Sequence, residues 1–141
     1  LAYEGSLAIS ETLRLLGQGL LTPEKQDDSL SCYAPMLSKD LSPIDWSKSA
    51  QDIHNLIRGL NPWPCAQTKV GGKNLKIFTS KVSGITTASP GTVISTSPLV
   101  VACGGNTSLE ICEVQLEGAK RMSAELFLMG HRLEAGRVLP D

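Results

Sequence analysis

The stretch Gln67-Thr68-Lys69-Val70-Gly71-Gly72-Lys73-Asn74-Leu75-Lys76-Ile77-Phe78-Thr79-Ser80-Lys81-Val82 decides the fold class. Two runs able to form strands flank a Gly-Gly pair, and such a pair supplies the positive φ angles of a tight hairpin. The spacing predicts strands over 67–70 and 74–82. If Leu75 and Ile77 face a core, Asn74, Lys76, Phe78 and Ser80 face the other way, because successive side chains leave a strand on opposite sides. A lysine beside an aromatic on an outer face is a feature of nucleic-acid-binding barrels. The same run also allows Phe78 and Val82 to be the core set.

Moving outward, strands are expected over 92–95, opened by Pro90-Gly91, and over 99–103 and 109–116, which flank the turn Gly104-Gly105-Asn106. Asn106-Thr107-Ser108 matches a glycosylation sequon and is read as part of that turn. Short strands at this spacing suggest a small barrel. The expected fold is therefore mainly β with flanking helices, around a small OB-like β-barrel.

Ser49 and Asp52 resemble a capping box, and behind them Ile53, Leu56, Ile57 and Leu60 form a helical stripe. That helix should end near Gly59, since Pro62 and Pro64 cannot continue it. Trp46 and Trp63 flank it; both are expected to bury against it, or else to offer a stacking platform for an unpaired base. Ser123 should cap a second short helix whose Leu126, Phe127 and Met129 plug one barrel end. Nearer the start, Leu7, Ile9, Leu13, Leu16 and Leu20 recur at roughly helical spacing, with Gly17 and Gly19 as stops. A helix of this length needs something to pack on. Residues 22–43 are polar and proline-bearing, and read as a linker along a surface.

At 141 residues, with 41% apolar and 19% charged, the chain can bury one core and has no run long enough to span a membrane. The start, Leu1-Ala2-Tyr3-Glu4-Gly5, does not read as a signal peptide and looks cut from something longer. Cys32, Cys65, Cys103 and Cys112 form no C-x-x-C pair, which suggests free thiols in a reducing, cytoplasmic setting. Net charge is −1, unevenly spread. No acid lies between Asp52 and Glu110, while Arg58, Lys69, Lys73, Lys76 and Lys81 do. One sign of charge over so long a stretch predicts a positive face that attracts phosphates. Lys120-Arg121, just before the capped helix, can aim two more charges at a phosphate.

Catalytic signals are lacking. His54 and His131 have no Ser, Cys or carboxylate at a readable spacing and are expected at the surface or as caps. Each Gly-Gly pair lies between strands and not before a helix, unlike a phosphate-cradling loop. Neither a catalytic residue nor a metal or cofactor ligand is assigned.

A wider pattern covers essentially the whole chain. Ile44-Asp45-Trp46-Ser47, Ser49-Ala50 and Ile57-Arg58-Gly59-Leu60-Asn61-Pro62-Trp63-Pro64 resemble the opening of the C-terminal domain of methionyl-tRNA formyltransferases. Gln26-Asp27-Asp28, Tyr33-Ala34 and Leu37-Ser38-Lys39 are similar to that family's interdomain linker. Leu75-Lys76-Ile77, Pro90-Gly91, Val101-Ala102-Cys103-Gly104 and Met122-Ser123-Ala124 keep its order, and Glu11-Thr12-Leu13 resembles the last helix of its catalytic domain. The Arg-to-Pro run is the specific part.

The resemblance implies a division into 1–21, the terminal helix of an absent catalytic domain; 22–43, the interdomain linker; and 44–141, an OB-like barrel domain. It implies a parent enzyme that moves a formyl group from 10-formyltetrahydrofolate to methionyl-initiator tRNA, with this part orienting the tRNA beside its own N-terminal catalytic domain, as a monomer away from membranes. Lys39 matches a basic linker position and Lys120 a basic pair; Pro35, Met36 and Ala119 depart from the family pattern. The expected nucleic-acid contacts are Lys39, Lys69, Lys73, Lys76, Lys81, Lys120 and Arg121. Two other readings are a formyltetrahydrofolate hydrolase-type module without tRNA, and a scaffold barrel that touches no nucleic acid.

Overall fold

The computed structural model describes residues 1–141, which form two compact units, 1–35 and 36–141. The first holds helix α1 (Ala2–Gly17), where Leu7, Ile9, Leu13 and Leu16 are all exposed and no residue is buried. Its end is closed by backbone N–H groups reaching Leu15 and Leu16 carbonyls, with Gly19 at φ 67°. A short 3-10 turn follows at Asp28–Leu30, capped by Asp27, whose carboxylate accepts from the Ser29 N–H at 2.9 Å.

The second unit opens with a 3-10 turn at Lys39–Leu41 and helix α2 (Ala50–Gly59). Ser49 caps α2 by accepting the Asp52 N–H at 3.2 Å, and the Ser49 hydroxyl donates in return to the Asp52 carboxylate at 2.7 Å. Ile53, Ile57 and Leu60 are buried, the expected stripe. Then come β1 (Ala66–Val70), β2 (Lys73–Ile85), β3 (Val93–Thr96), β4 (Leu99–Cys103), β5 (Thr107–Leu116), β6 (Met122–Ser123) and helix α3 (Ala124–Gly130). Gly71 and Gly72 both take positive φ, 58° and 73°, as the hairpin between β1 and β2 requires.

All ladders are antiparallel, in the order β1-β2-β5-β4-β3, with β6 pairing β5 at Glu113 and Val114 beyond the reach of β4. The fold is mainly β with flanking helices, as expected, but the sheet does not close into a barrel. No ladder joins β1 to β3; the chain's last residues lie in that gap. Val93 exchanges 2.8 Å hydrogen bonds with Gly136 and Arg137, and the Leu139 N–H donates to the Gly91 carbonyl at 2.8 Å. Farther on, the Gly72 N–H donates to the Asp141 carbonyl at 3.2 Å and the Gly71 N–H to its side chain at 2.8 Å. A Cβ on Gly91 would stand 2.3 Å from the Leu139 carbonyl oxygen, so this approach needs glycine.

Leu75, Ile77, Val101, Leu109 and Val114 form the core with α2 and with Phe127 of α3. Three expectations change. Of the proposed plug, Phe127 is buried, whereas Leu126 and Met129 are exposed. Trp46 is 4% exposed, with its indole N–H donating to Thr68 at 3.3 Å, but Trp63 is 53% exposed. Trp46 lies on a backbone that accepts the Gly104 N–H at 2.9 Å beside β4, while Trp63 sits in the proline turn after α2. Ser80 is buried, not outward, because the register of β2 against β5 shifts on both sides of Thr79. Such a bulge sets two consecutive residues, Phe78 and Thr79, on the outer side.

Candidate nucleic-acid interface

The sheet's outer side is built from rows of directly paired residues. Gln67, Lys76 and Gln115 make one row across β1, β2 and β5; Lys69 and Asn74 make the next toward the hairpin. Glu117 closes that row: it accepts the Asn74 N–H on its carboxylate at 3.2 Å. In the other direction lies Thr79 opposite Glu113, then Lys81 opposite Glu110. Arg121 reaches this face from the turn before β6, with its guanidinium 4.3 Å from the centre of the Phe78 ring.

Four of the seven expected residues, Lys69, Lys76, Lys81 and Arg121, are thus gathered on one face. The other three are not. Lys73 pairs with Val70 at the hairpin end, one residue out of step with the Lys76 side. Lys39 is exposed in its 3-10 turn, and Lys120 is exposed in the β5–β6 turn. The segment after Lys39 does join the sheet: the Gln67 N–H donates to Ser42 at 2.8 Å, and the Ile44 N–H donates to Gln67 at 2.9 Å.

Charge on this face is graded. Lys81 lies 3.8 Å from a Glu110 oxygen, and Arg121 is paired with Glu113. The Arg121 guanidinium holds the Glu113 carboxyl below its usual value, and Thr79 adds a weaker hydrogen bond in the same direction. Lys69, Lys73 and Lys76 make no ion pair, nor do Lys39 and Lys120. The positive character therefore concentrates at the Lys69–Lys76 end. A shallow recess of about 280 Å³ lies there, lined by Gln67, Asn74, Lys76, Gln115 and Glu117. The absence of acids between residues 52 and 110 could not reveal this grading, because antiparallel pairing brings Glu110, Glu113 and Glu117 of β5 and its turn alongside β2.

The two histidines do structural work. His54 shares a 3.0 Å hydrogen bond with the buried Ser80 hydroxyl, tying α2 to β2. His131 caps α3, with Nδ1 3.1 Å from the Phe127 carbonyl and its ring stacked on Phe127 at 4.6 Å. All four cysteines are free: Cys65 and Cys103 are buried, Cys112 is half-buried and Cys32 is exposed. Burial pushes the Cys103 thiol up to about 11, so it stays protonated at neutral pH. No helix is long and apolar enough to cross a membrane.

Comparison with known proteins agrees with the sequence pattern. The family model described as "Formyl transferase, C-terminal domain" matches residues 36–132. A methionyl-tRNA formyltransferase of Bacillus subtilis is 43% identical over 99% of this chain and 45% of its own length. One of Geobacter metallireducens is 50% identical over 96% of this chain and 44% of its own. The chain thus spans somewhat under half the length of these relatives. Among solved structures, HypX from Aquifex aeolicus in complex with tetrahydrofolic acid superposes with a TM-score of 0.55 at 17% identity, covering 85% of this chain and 22% of that one. At that identity the likeness is one of fold.

Proposed function

This chain belongs to the formyl transferase C-terminal-domain family, and from that premise we propose that it is the tRNA-binding, tRNA-orienting part of a methionyl-tRNA formyltransferase. In the parent enzyme a formyl group passes from 10-formyltetrahydrofolate to the amine of methionyl-initiator tRNA, and the chemistry belongs to a neighbouring catalytic domain. Working in the cytoplasm as a monomer, the present chain contributes position: it holds phosphates so that the amine enters that domain's site, a proximity effect with no proton transfer of its own. The folate is assigned to that neighbouring domain, and none of this chain's residues is assigned to it. No step of the transfer is routed through this chain.

The observation that carries the reading is the gathering of Lys69, Lys76, Lys81 and Arg121 on the outer sheet face, with Lys69 and Lys76 free of carboxylate partners. Lys39, Lys73 and Lys120 are exposed away from that face and add to the chain's attraction for phosphate at longer range. The relatives named for the tRNA enzyme favour this reading over a folate hydrolase module.

The test is the salt dependence of initiator-tRNA binding. Each phosphate contact contributes about one to the slope of log affinity against log salt. Lys69→Ala and Lys76→Ala should each lower the slope by about one. A slope that neither substitution moves would leave the scaffold reading in possession.

A further inference from the structure

Beyond charge, the Lys76 end of the outer face holds polar groups that the fold itself does not use. Gln67 and Asn74 are half-buried, on adjacent rows, and their side-chain amides make no hydrogen bond within the chain. The same holds for the Lys76 ammonium, which makes no ion pair. Gln115 differs, because its NH₂ group donates to the Ala119 carbonyl at 2.9 Å. These groups line the recess of about 280 Å³ with Glu117 at its rim. Glu117 is already anchored through the Asn74 N–H.

We propose that this recess is a ribose-phosphate subsite that distinguishes RNA from DNA: Lys76 takes a phosphate, and the amides of Gln67 and Asn74 take the neighbouring 2′-hydroxyl. The proposal rests on the polyanion reading above and deepens it. A primary amide carries both donors and an acceptor, matching a hydroxyl that donates and accepts. Desolvating such amides without partners costs free energy, so a ligand that pairs them is favoured over one that covers them unpaired. The 2′-hydroxyl is the group by which a protein tells RNA from DNA, and A-form stems display it along a wide, shallow minor groove. A shallow, open recess lets a hydroxyl displayed at that groove's surface reach the amides of Gln67 and Asn74. Lys76 adds the charge but cannot discriminate, since phosphates are common to both polymers. Glu117 opposes any polyanion here and sets a limit on affinity.

The experiment measures binding of the 141-residue chain to an RNA hairpin stem and to the DNA hairpin of the same sequence, at several salt concentrations. The double variant Gln67→Ala/Asn74→Ala should lose RNA affinity about three- to tenfold for each lost hydrogen bond. Its DNA affinity and its salt slope should stay as in the parent. Lys76→Ala should weaken both ligands alike and lower both slopes by about one. Glu117→Gln should strengthen both. Chemical unfolding of each variant checks that the sheet is intact. Equal losses for RNA and DNA in the double variant, or no loss at all, would overturn the subsite while leaving the polyanion reading standing. Failure of the unmodified chain to bind either hairpin would overturn both.

Discussion

On its inner side β2 presents Leu75, Ile77 and Ser80, all buried, with Ser80 meeting His54 of α2 at 3.0 Å. On its outer side the same strand presents Lys76, Phe78, Thr79 and Lys81, half-buried or exposed, against Gln115, Glu113 and Glu110 of β5. The two faces constrain residue type through different forces. Inside, volume and hydrogen-bond closure fix each position, because a void or an orphaned polar atom is costly. Outside, no neighbour demands Lys76 or Gln67, which leaves both free for the proposed ligand.

The largest effect should come from breaking the inner face. Ile77→Ala should destabilise the chain by about 2–5 kcal/mol, the usual cost of a large-to-small change in a packed core. Lys76→Ala, its immediate neighbour, should stay within about 0.5 kcal/mol. Denaturant unfolding of the pair measures the contrast, and similar losses would mean the two faces are not distinct.

Close packing of backbone on backbone gives the next largest effect. The Gly104 N–H donates to Trp46 and Lys48 carbonyls at 2.9 and 2.8 Å, and a Cβ there would stand 1.7 Å from the Ser47 carbonyl oxygen. Gly104→Ala should therefore cost about 1–3 kcal/mol by overpacking. Gly105→Ala, whose Cβ would meet nothing within 4 Å, pays only for its φ of 64° and should lose less. Reversal of that order in thermal melts would show that strain at positive φ outweighs the close approach.

How much of this was legible follows from which forces are local. The hairpin at Gly71-Gly72, the Ser49 and Ser123 caps and the α2 stripe rest on neighbours in sequence, and the residues name them directly. The bulge at Phe78-Thr79 does not show, because a register shift is decided by the partner strand, and it turned Ser80 inward. Met122–Ser123 is too short a strand to carry alternation. The gap between β1 and β3 is likewise invisible, since the tail 136–141 carries neither strand alternation nor a charge run and docks mainly through backbone groups. Of the candidate interface, the lysines were legible as charges. Their partners were not: Glu110 lies far from Lys81 in sequence and meets it only through the pairing of β2 with β5, and Glu113, eight residues from Arg121, meets it only through the return of the chain along β6.

That partnering allows the outer face to be split in two. Lys81→Ala should lower the salt slope for RNA by less than Lys76→Ala does, because Lys81 is shared with Glu110 whereas Lys76 is free. Glu110→Gln should then raise the contribution of Lys81 toward about one. Equal slopes for the two lysines in the unmodified chain would mean that Glu110 does not compete with phosphate.

The smallest effect is the pH response of the Arg121–Glu113 pair. The Arg121 hydrogen bond depresses the Glu113 carboxyl below its ordinary 4.5. A group whose folded value is depressed binds protons less readily in the folded state. Its contribution is therefore present above the ordinary value and is lost as pH falls through the folded one. The pair is solvent-exposed, so screening keeps the contribution small. Melting temperatures of the parent chain and of Glu113→Gln should differ slightly at pH 6 and converge below the folded value, where the parent's carboxyl is protonated too. The gap should also shrink with added salt at pH 6, as an exposed ion pair requires. A gap that persists undiminished in acid would show that the charge of Glu113 is not what it contributes, and Arg121 would then be held over Phe78 by the ring alone.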